Sequence, residues 1–327
     1  MKKFSNLPTD LVYESLLGFG AAHADLVQVH TDPAFVTRRR RNPAKVALVS
    51  GGGSGHEPLH VGFVGAGMLD AACPGQVFTS PTPNQMLAAV KALASEAGVL
   101  FIVKNYAGDV MNFQMAMDMM EVEYASVLVN DDVAFELGGH PSGRRGIAGT
   151  LVVEKIVGAA AERGDDLASC KRLGDQVNAR TASMGVALSS CTVPEAGVAT
   201  FEIGPEEMEL GVGIHGEPGR RRTPLRPAAA IVEELTAAIL KDLQPAHGQE
   251  VLLLVNGLGG TPLMELYLLY HEASEALRRA GLEPVRSLVG NYTTSLETAG
   301  ASLTVTLLNE EFKLLWDAPV RTVALRW

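Results

Sequence analysis

Two histidines stand in glycine-rich settings. His56 lies in GGGSGHEP, Gly51 to Pro58, and His215 lies in GVGIHGEPG, Gly211 to Gly219. An imidazole changes charge near neutral pH, so it can serve as base, nucleophile or metal ligand. Glycine beside it lets the backbone approach a ligand closely. A third candidate is KNYAGDV, where Lys104 and Asp109 flank the end of an apolar run. These residue types suit proton transfer and the holding of hydroxyl groups.

Each motif also has a plainer reading. GGGSG after a strand suggests a phosphate cradle or a tight strand-to-helix turn. It lacks the Lys-Ser/Thr ending of a Walker A loop, and G-x-G-x-x-G fails because Pro58 holds the last position. HEPLH, His56 to His60, formally matches H-E-x-x-H. That motif needs one continuous helix, and Pro58 fits only a first helical position. A helix is therefore expected to start near Pro58, with His56 in the loop before it, which argues against a zinc protease. Asp109 reads as a helix N-cap, and equally as a carboxylate facing the crevice at a strand end. RRRRN (38–42) and RRR (220–222) read as solvated faces, though the second could meet an anionic ligand or acidic partner. VNGLGGTP, Val255 to Pro262, reads as a structural turn, with Thr261 or a neighbour capping the next helix.

The elements that must position these residues follow from hydrophobic patterning. KVALVS (45–50), GVLFIVKNY (98–106) and ASVLVND (125–131) are buried-strand candidates. Helical patterns lie between and after them at 84–98, 109–124 and 150–164. Apolar strands separated by helices indicate a mostly parallel sheet, with ligands at the carboxyl ends of the strands. Beyond MGVALSS (184–190) the texture changes to shorter strands, ATFEIG and MELGVGI among them. A long helix over 227–243 follows, then a strand, a glycine turn and a helix from EVLLLVNGLGG onward, and a last strand reaching Trp327. The expected class is α/β with two domains. Residues 1–183 form a largely parallel or mixed sheet flanked by helices and carry the GGGSGHEP and NYAGD loops. Residues 184–327 form a smaller sheet covered by helices and carry the His215 loop.

Composition limits the function classes. The 327 residues include 47% hydrophobic and 20% charged, with 34 glycines, and the formal net charge is −10. Such an acidic chain is not expected to bind nucleic acid. Cys73, Cys170 and Cys191 are widely spaced, with no C-x-x-C, which points to a reducing compartment. There is no apolar leader and no run of about eighteen apolar residues, so no membrane association is expected and a cytoplasmic location follows.

Taken in order, GGGSGHEP, KNYAGDVMNF, MGVALSSCTVP, ELGVGIHGEPG and VNGLGGTPL resemble the substrate-binding subunit of dihydroxyacetone kinases that use a separate nucleotide-binding subunit. The resemblance spans nearly the whole chain. It implies a homodimer of two-domain α/β chains active in glycerol metabolism. It implies that His215 bonds covalently to the carbonyl carbon of dihydroxyacetone as a hemiaminal. Gly53, Ser54, Gly55, His56, Lys104 and Asp109 would hold the hydroxyls. His56 is the better candidate base and Asp109 its partner or a hydroxyl acceptor; the reverse assignment stays open. No metal or cofactor is expected on this chain. ADP and Mg²⁺ would sit on the partner subunit, recharged through a phosphoenolpyruvate-dependent phosphocarrier chain. The other readings are a triose- or tetrose-binding regulatory protein and a kinase subunit for a related ketose.

Overall fold

The computed structural model describes residues 2–135 and 143–327. In chain order its elements are α1 (Leu11–Ala22), β1 (Val27–Thr31), β2 (Ala34–Arg38), β3 (Ala47–Ser54), β4 (Ala71–Val77), α2 (Pro83–Leu93), β5 (Val99–Lys104), α3 (Ala107–Asp118) and β6 (Tyr124–Val129). They continue with α4 (Gly149–Arg163), α5 (Leu167–Ala179), β7 (Thr181–Ala187), β8 (Glu207–Leu210), β9 (Arg221–Pro224) and α6 (Ala228–Leu243). The rest are β10 (Glu250–Gly257), α7 (Leu263–Arg279), β11 (Glu283–Gly290), β12 (Gly300–Leu307) and α8 (Glu310–Asp317).

The chain forms two compact units that interleave along the sequence. The first takes Met1–Val129, Leu151–Gln176 and Leu314–Trp327; the second takes Asn130–Thr150 and Val177–Lys313. The boundary expected at residue 183 falls inside β7, a strand of the second unit. The physical reason is α4, which returns to the first unit after an excursion through the second. Its residues from Leu151 to Ala161 are buried, and a helix apolar on all sides needs a core around it.

The first unit holds a six-stranded mixed sheet in the order β1-β2-β4-β3-β5-β6. β3 runs parallel to β4 and β5, and β5 parallel to β6. Leu48, Val49, Leu100, Phe101 and Ile102 are fully buried, as strands covered on both faces require. Four parallel neighbours bring their carboxyl ends to one edge, and there β3 delivers Gly53 and Ser54 and β5 delivers Lys104. α2 begins with a reciprocal Thr82–Gln85 capping box.

The second unit also holds six strands, in the order β11-β10-β12-β7-β8-β9, so its sheet equals the first in strand count. Among its described strands only β10 and β11 pair in parallel; the other strand pairings are antiparallel. Leu253, Val255, Leu303 and Val305 pack with Ile231, Leu235, Leu266 and Leu277 of α6 and α7.

Three expected elements differ. No α-helix starts at Pro58: the chain turns back so tightly that a Cβ on Gly62 would sit 2.5 Å from Pro58, leaving one short 3-10 turn over Val61–Phe63. ATFEIG is not a strand; Ala199 makes one isolated pairing with Thr192. The segment before Trp327 is not a strand either. It doubles back through a turn in which Thr322 Oγ1 accepts from Leu325 N–H, and Val320 and Trp327 exchange backbone hydrogen bonds.

Candidate active site

In the first unit, β3 runs on through Gly51, Gly52 and Gly53 to Ser54, so the glycine run is strand rather than turn. The pairing continues as Gly51↔Cys73, Gly52↔Pro74 and Gly53↔Gly75, then shifts before Ser54. At 52 the Lys104 ammonium occupies the space a side chain would take, since a Cβ there would lie 2.2 Å from its Nζ. Ser54 Oγ donates to the Gly75 carbonyl at 2.7 Å, and its own carbonyl accepts from Phe78 N–H at 2.9 Å. Gly55 takes a positive φ of 99° and its N–H donates to Glu57 Oε2 at 2.9 Å. His56 is fully buried, its ring stacked on Phe78 at 5.2 Å and 21°.

Lys104 ends β5 and is fully buried. Its Nζ donates to the Gly51 carbonyl at 3.2 Å and to His60 Nε2 at 2.9 Å, and stands 3.5 Å from Asp109 Oδ2. Asp109 is buried in the first turn of α3, whose N-cap is Tyr106. Its carboxylate is therefore not the cap; it faces Lys104 from inside the helix, near the end where a negative charge is favoured.

Sequence reading missed the layer behind Lys104. His60 Nδ1 lies 2.6 Å from Glu154 Oε1 and 3.0 Å from Ser50 Oγ, which itself donates to the Ile102 carbonyl at 2.7 Å. An ammonium has no lone pair, so His60 Nε2 must accept from Lys104, and the proton sits on Nδ1 and is donated to Glu154. Burial, then the Lys104 cation, then nearby His56 hold His60 well below its ordinary 6.5, so the ring is neutral. Burial pushes the Glu154 carboxyl up to about 8 against the pull of Lys104. A signal existed in the sequence: Glu154 and Lys155 interrupt a helix that is otherwise apolar all round, and buried charges need partners. Lys155 finds one in the Leu315 carbonyl, at 2.7 Å.

In the second unit, His215 is half-buried in the loop after β8. Its backbone N–H donates to Glu217 Oε2 at 2.8 Å. Arg145 then ties the loop down: Nη1 donates to Glu217 Oε1 at 3.0 Å, Nη2 to the Gly211 carbonyl at 2.7 Å, and Nε to Asp132 Oδ2 at 2.7 Å. Burial raises Asp132 to about 6, with Arg145 pulling the other way. Gly216 has a φ of 71°, and a Cβ there would come within 2.8 Å of Cys191 Sγ. Arg145 and Glu217 had not been singled out from the sequence.

The basic clusters are largely surface-exposed, as Arg39, Arg40, Arg41, Arg220, Arg221 and Arg222 are, with Arg38 the exception. Arg38 is buried and ion-pairs with Asp70 and Glu162, so it is not a solvated face. Arg221 and Arg222 pair with Glu234 and Glu209. Thr261 Oγ1 donates to the Gly300 carbonyl at 2.7 Å instead of capping α7, whose N-cap is Pro262. No described helix is long and apolar enough to cross a membrane.

The described residues thus form two α/β units, each built on a six-stranded sheet. The family model of the Dak1 domain matches residues 17–324, and the chain belongs to that family. The PTS-dependent dihydroxyacetone kinase 1, dihydroxyacetone-binding subunit DhaK of Listeria innocua serovar 6a is 48% identical over 99% of this chain and 100% of its own. The native crystal structure of the dihydroxyacetone kinase of C. freundii superposes with a TM-score of 0.89 at 37% identity, covering 98% of this chain and 60% of that one. A protein described as the dihydroxyacetone kinase operon co-activator Dha-DhaQ superposes with a TM-score of 0.90 at 32% identity, covering 95% and 97%. Kinase activity is supported for the family.

Proposed function

We propose that this chain is the dihydroxyacetone-binding subunit of a two-component kinase. The observation that carries the reading is the buried contact of Lys104 with Asp109, at the carboxyl edge of the first sheet. An ammonium and a carboxylate there supply a donor and an acceptor for the hydroxyls of a very small sugar. Gly53, Ser54 and Gly55 add backbone groups on the same strand end.

His215 takes the carbonyl. A nitrogen of its imidazole forms a bond to C2, the carbonyl π pair moves to oxygen, and the proton given up by the ring makes that oxygen a hydroxyl. The product is a hemiaminal. A three-carbon ketone offers little surface for non-covalent binding, so a covalent anchor supplies retention and also selectivity, because glycerol has no carbonyl to attack. The terminal hydroxyl then loses its proton to His56, with Asp109 accepting from the hydroxyl or orienting the ring, as its oxygen attacks phosphorus. The phosphoryl group comes from a separate subunit carrying ADP and Mg²⁺ and recharged from phosphoenolpyruvate. The chain works in the cytoplasm as a homodimer.

A second reading is favoured by one observation, the co-activator fold match at TM-score 0.90. A regulatory protein would bind the same sugar and report it to a partner. Intact His56 and Asp109 favour the kinase, since a sensor needs no base. A four-carbon ketose carries the same carbonyl and neighbouring hydroxyls, so a kinase subunit for a related ketose is a third reading. Intact mass spectrometry after incubation with dihydroxyacetone and erythrulose, then turnover with the partner subunit and a phosphoryl donor, tests all three. Adduct with turnover supports the kinase; adduct without turnover supports the regulator.

A further inference from the structure

We propose that His60 and Glu154 are positioning residues that aim the Lys104 ammonium, so that one of its N–H groups stays available for a hydroxyl of the bound ketose. This rests on the reading of Lys104 as a substrate-holding group.

Lys104 has three donors and no acceptor. Two are committed, to the Gly51 carbonyl at 3.2 Å and to His60 Nε2 at 2.9 Å. The third faces Asp109 Oδ2 at 3.5 Å, beyond ordinary hydrogen-bond length. A ligand hydroxyl lodged at that gap would accept from Lys104 and donate to Asp109. The arrangement works only if His60 accepts at Nε2, so its single proton must stay on Nδ1. An imidazolium, or the other tautomer, would set a donor against the ammonium. Glu154 Oε1, at 2.6 Å from Nδ1, takes that proton in a hydrogen bond and so selects the tautomer. Ser50 supports the choice, because its own proton goes to the Ile102 carbonyl and its lone pairs face Nδ1. Burial keeps the ring neutral. The device follows the general logic by which an oxygen acceptor at one ring nitrogen fixes which nitrogen of a histidine is protonated, and the carboxyl of Glu154 offers Oε1 as that acceptor with its own proton on Oε2.

Two measurements test it. In the wild-type protein at neutral pH, ¹⁵N NMR of His60 is expected to show a protonated Nδ1 and a lone-pair Nε2. The opposite tautomer, or an imidazolium, overturns the proposal. In steady-state assays with the partner subunit, His60→Leu is expected to raise KM for dihydroxyacetone about tenfold or more, the scale of one lost charge-assisted hydrogen bond, with a smaller effect on kcat. His60→Gln can still accept from Lys104 and donate to Glu154, and is expected to stay near the wild-type KM. An unchanged KM in His60→Leu, or equal impairment in both variants, overturns it. If His60→Leu does not fold, the wild-type tautomer and the His60→Gln kinetics decide. A wild-type protein that forms no adduct and shows no turnover sinks the functional reading instead, and is distinguishable from a wild type that works while His60→Leu works equally well.

Discussion

Glu217 Oε2 accepts a hydrogen bond from the backbone N–H of His215 at 2.8 Å. The same step occurs in the other unit, where Glu57 Oε2 accepts from Gly55 N–H at 2.9 Å. In each loop a glutamate folds back on an amide two residues earlier and sets the backbone that carries a histidine. The two loops differ in what holds the glutamate. Glu217 is anchored by Arg145, which reaches Asp132 and the Gly211 carbonyl as well.

That anchoring gives a first expectation. A lysine cannot span three acceptors with one flat fork. Arg145→Lys is therefore expected to slow sugar adduct formation at His215 about tenfold, as the loss of one charge-assisted hydrogen bond implies. Time-resolved intact mass spectrometry reads this. An unchanged rate would show that the loop needs no such anchor.

Gly52 gives a second. A Cβ placed 2.2 Å from Lys104 Nζ must displace the ammonium or the strand. Gly52→Ala is expected to lower stability by about 1–3 kcal/mol, the usual scale of overpacking. It should also raise KM for the ketose, while the His215 adduct still forms at high sugar concentration. Urea titration and steady-state kinetics check the two halves separately.

Glu154 gives a third, with a definite sign. Its carboxyl is pushed up to about 8 from an ordinary 4.5, so the folded protein keeps a proton that the unfolded chain has lost. The stability it contributes is complete below 4.5 and is lost as pH rises through about 8. His60 acts oppositely. It is held below 6.5, so its contribution is complete above 6.5 and lost as pH falls through its lowered value. Between 6.5 and 8 only the Glu154 effect remains, and the wild type should lose stability across that window. Glu154→Gln keeps an acceptor for His60 but cannot ionise, so its melting temperature should exceed the wild type's at pH 8, with the gap closing toward acid. Thermal unfolding at a series of pH values measures it; a gap independent of pH would contradict it.

His56 gives a fourth. If it takes the hydroxyl proton, His56→Ala should lower turnover by about 10²–10⁴-fold, the usual contribution of a general base. The His215 adduct should remain. Turnover at wild-type level would remove His56 from the role and leave Asp109 as the base.

Much of the frame was legible because buried apolar runs carry their own signal. KVALVS, GVLFIVKNY and ASVLVND overlap β3, β5 and β6, and the helical periodicity at 84–98 and 227–243 overlaps α2, which stops at Leu93, and α6. β4 was not legible, since Cys73-Pro74-Gly75 reads as a break although it pairs in register with Gly51–Gly53. The glycine run of β3 misled for the same reason: glycine weakens a strand locally, and neighbours on both sides overrode that preference. The interleaving of the units rests on contacts far apart in sequence, such as His60 with Glu154, which no local pattern encodes. At the site, Lys104, Asp109 and His56 were visible by residue type and place. Their geometry was not: Asp109 lies inside the first turn of α3, and the partner that fixes Lys104 comes from HEPLH, whose second histidine had no role once zinc was set aside.

The central claim is the covalent anchor, and intact mass spectrometry after incubation with dihydroxyacetone tests it most directly. The wild type and His56→Ala should each gain the mass of one sugar molecule, and His215→Ala should gain none. A wild type without the added mass, or an adduct that survives in His215→Ala, would contradict the account.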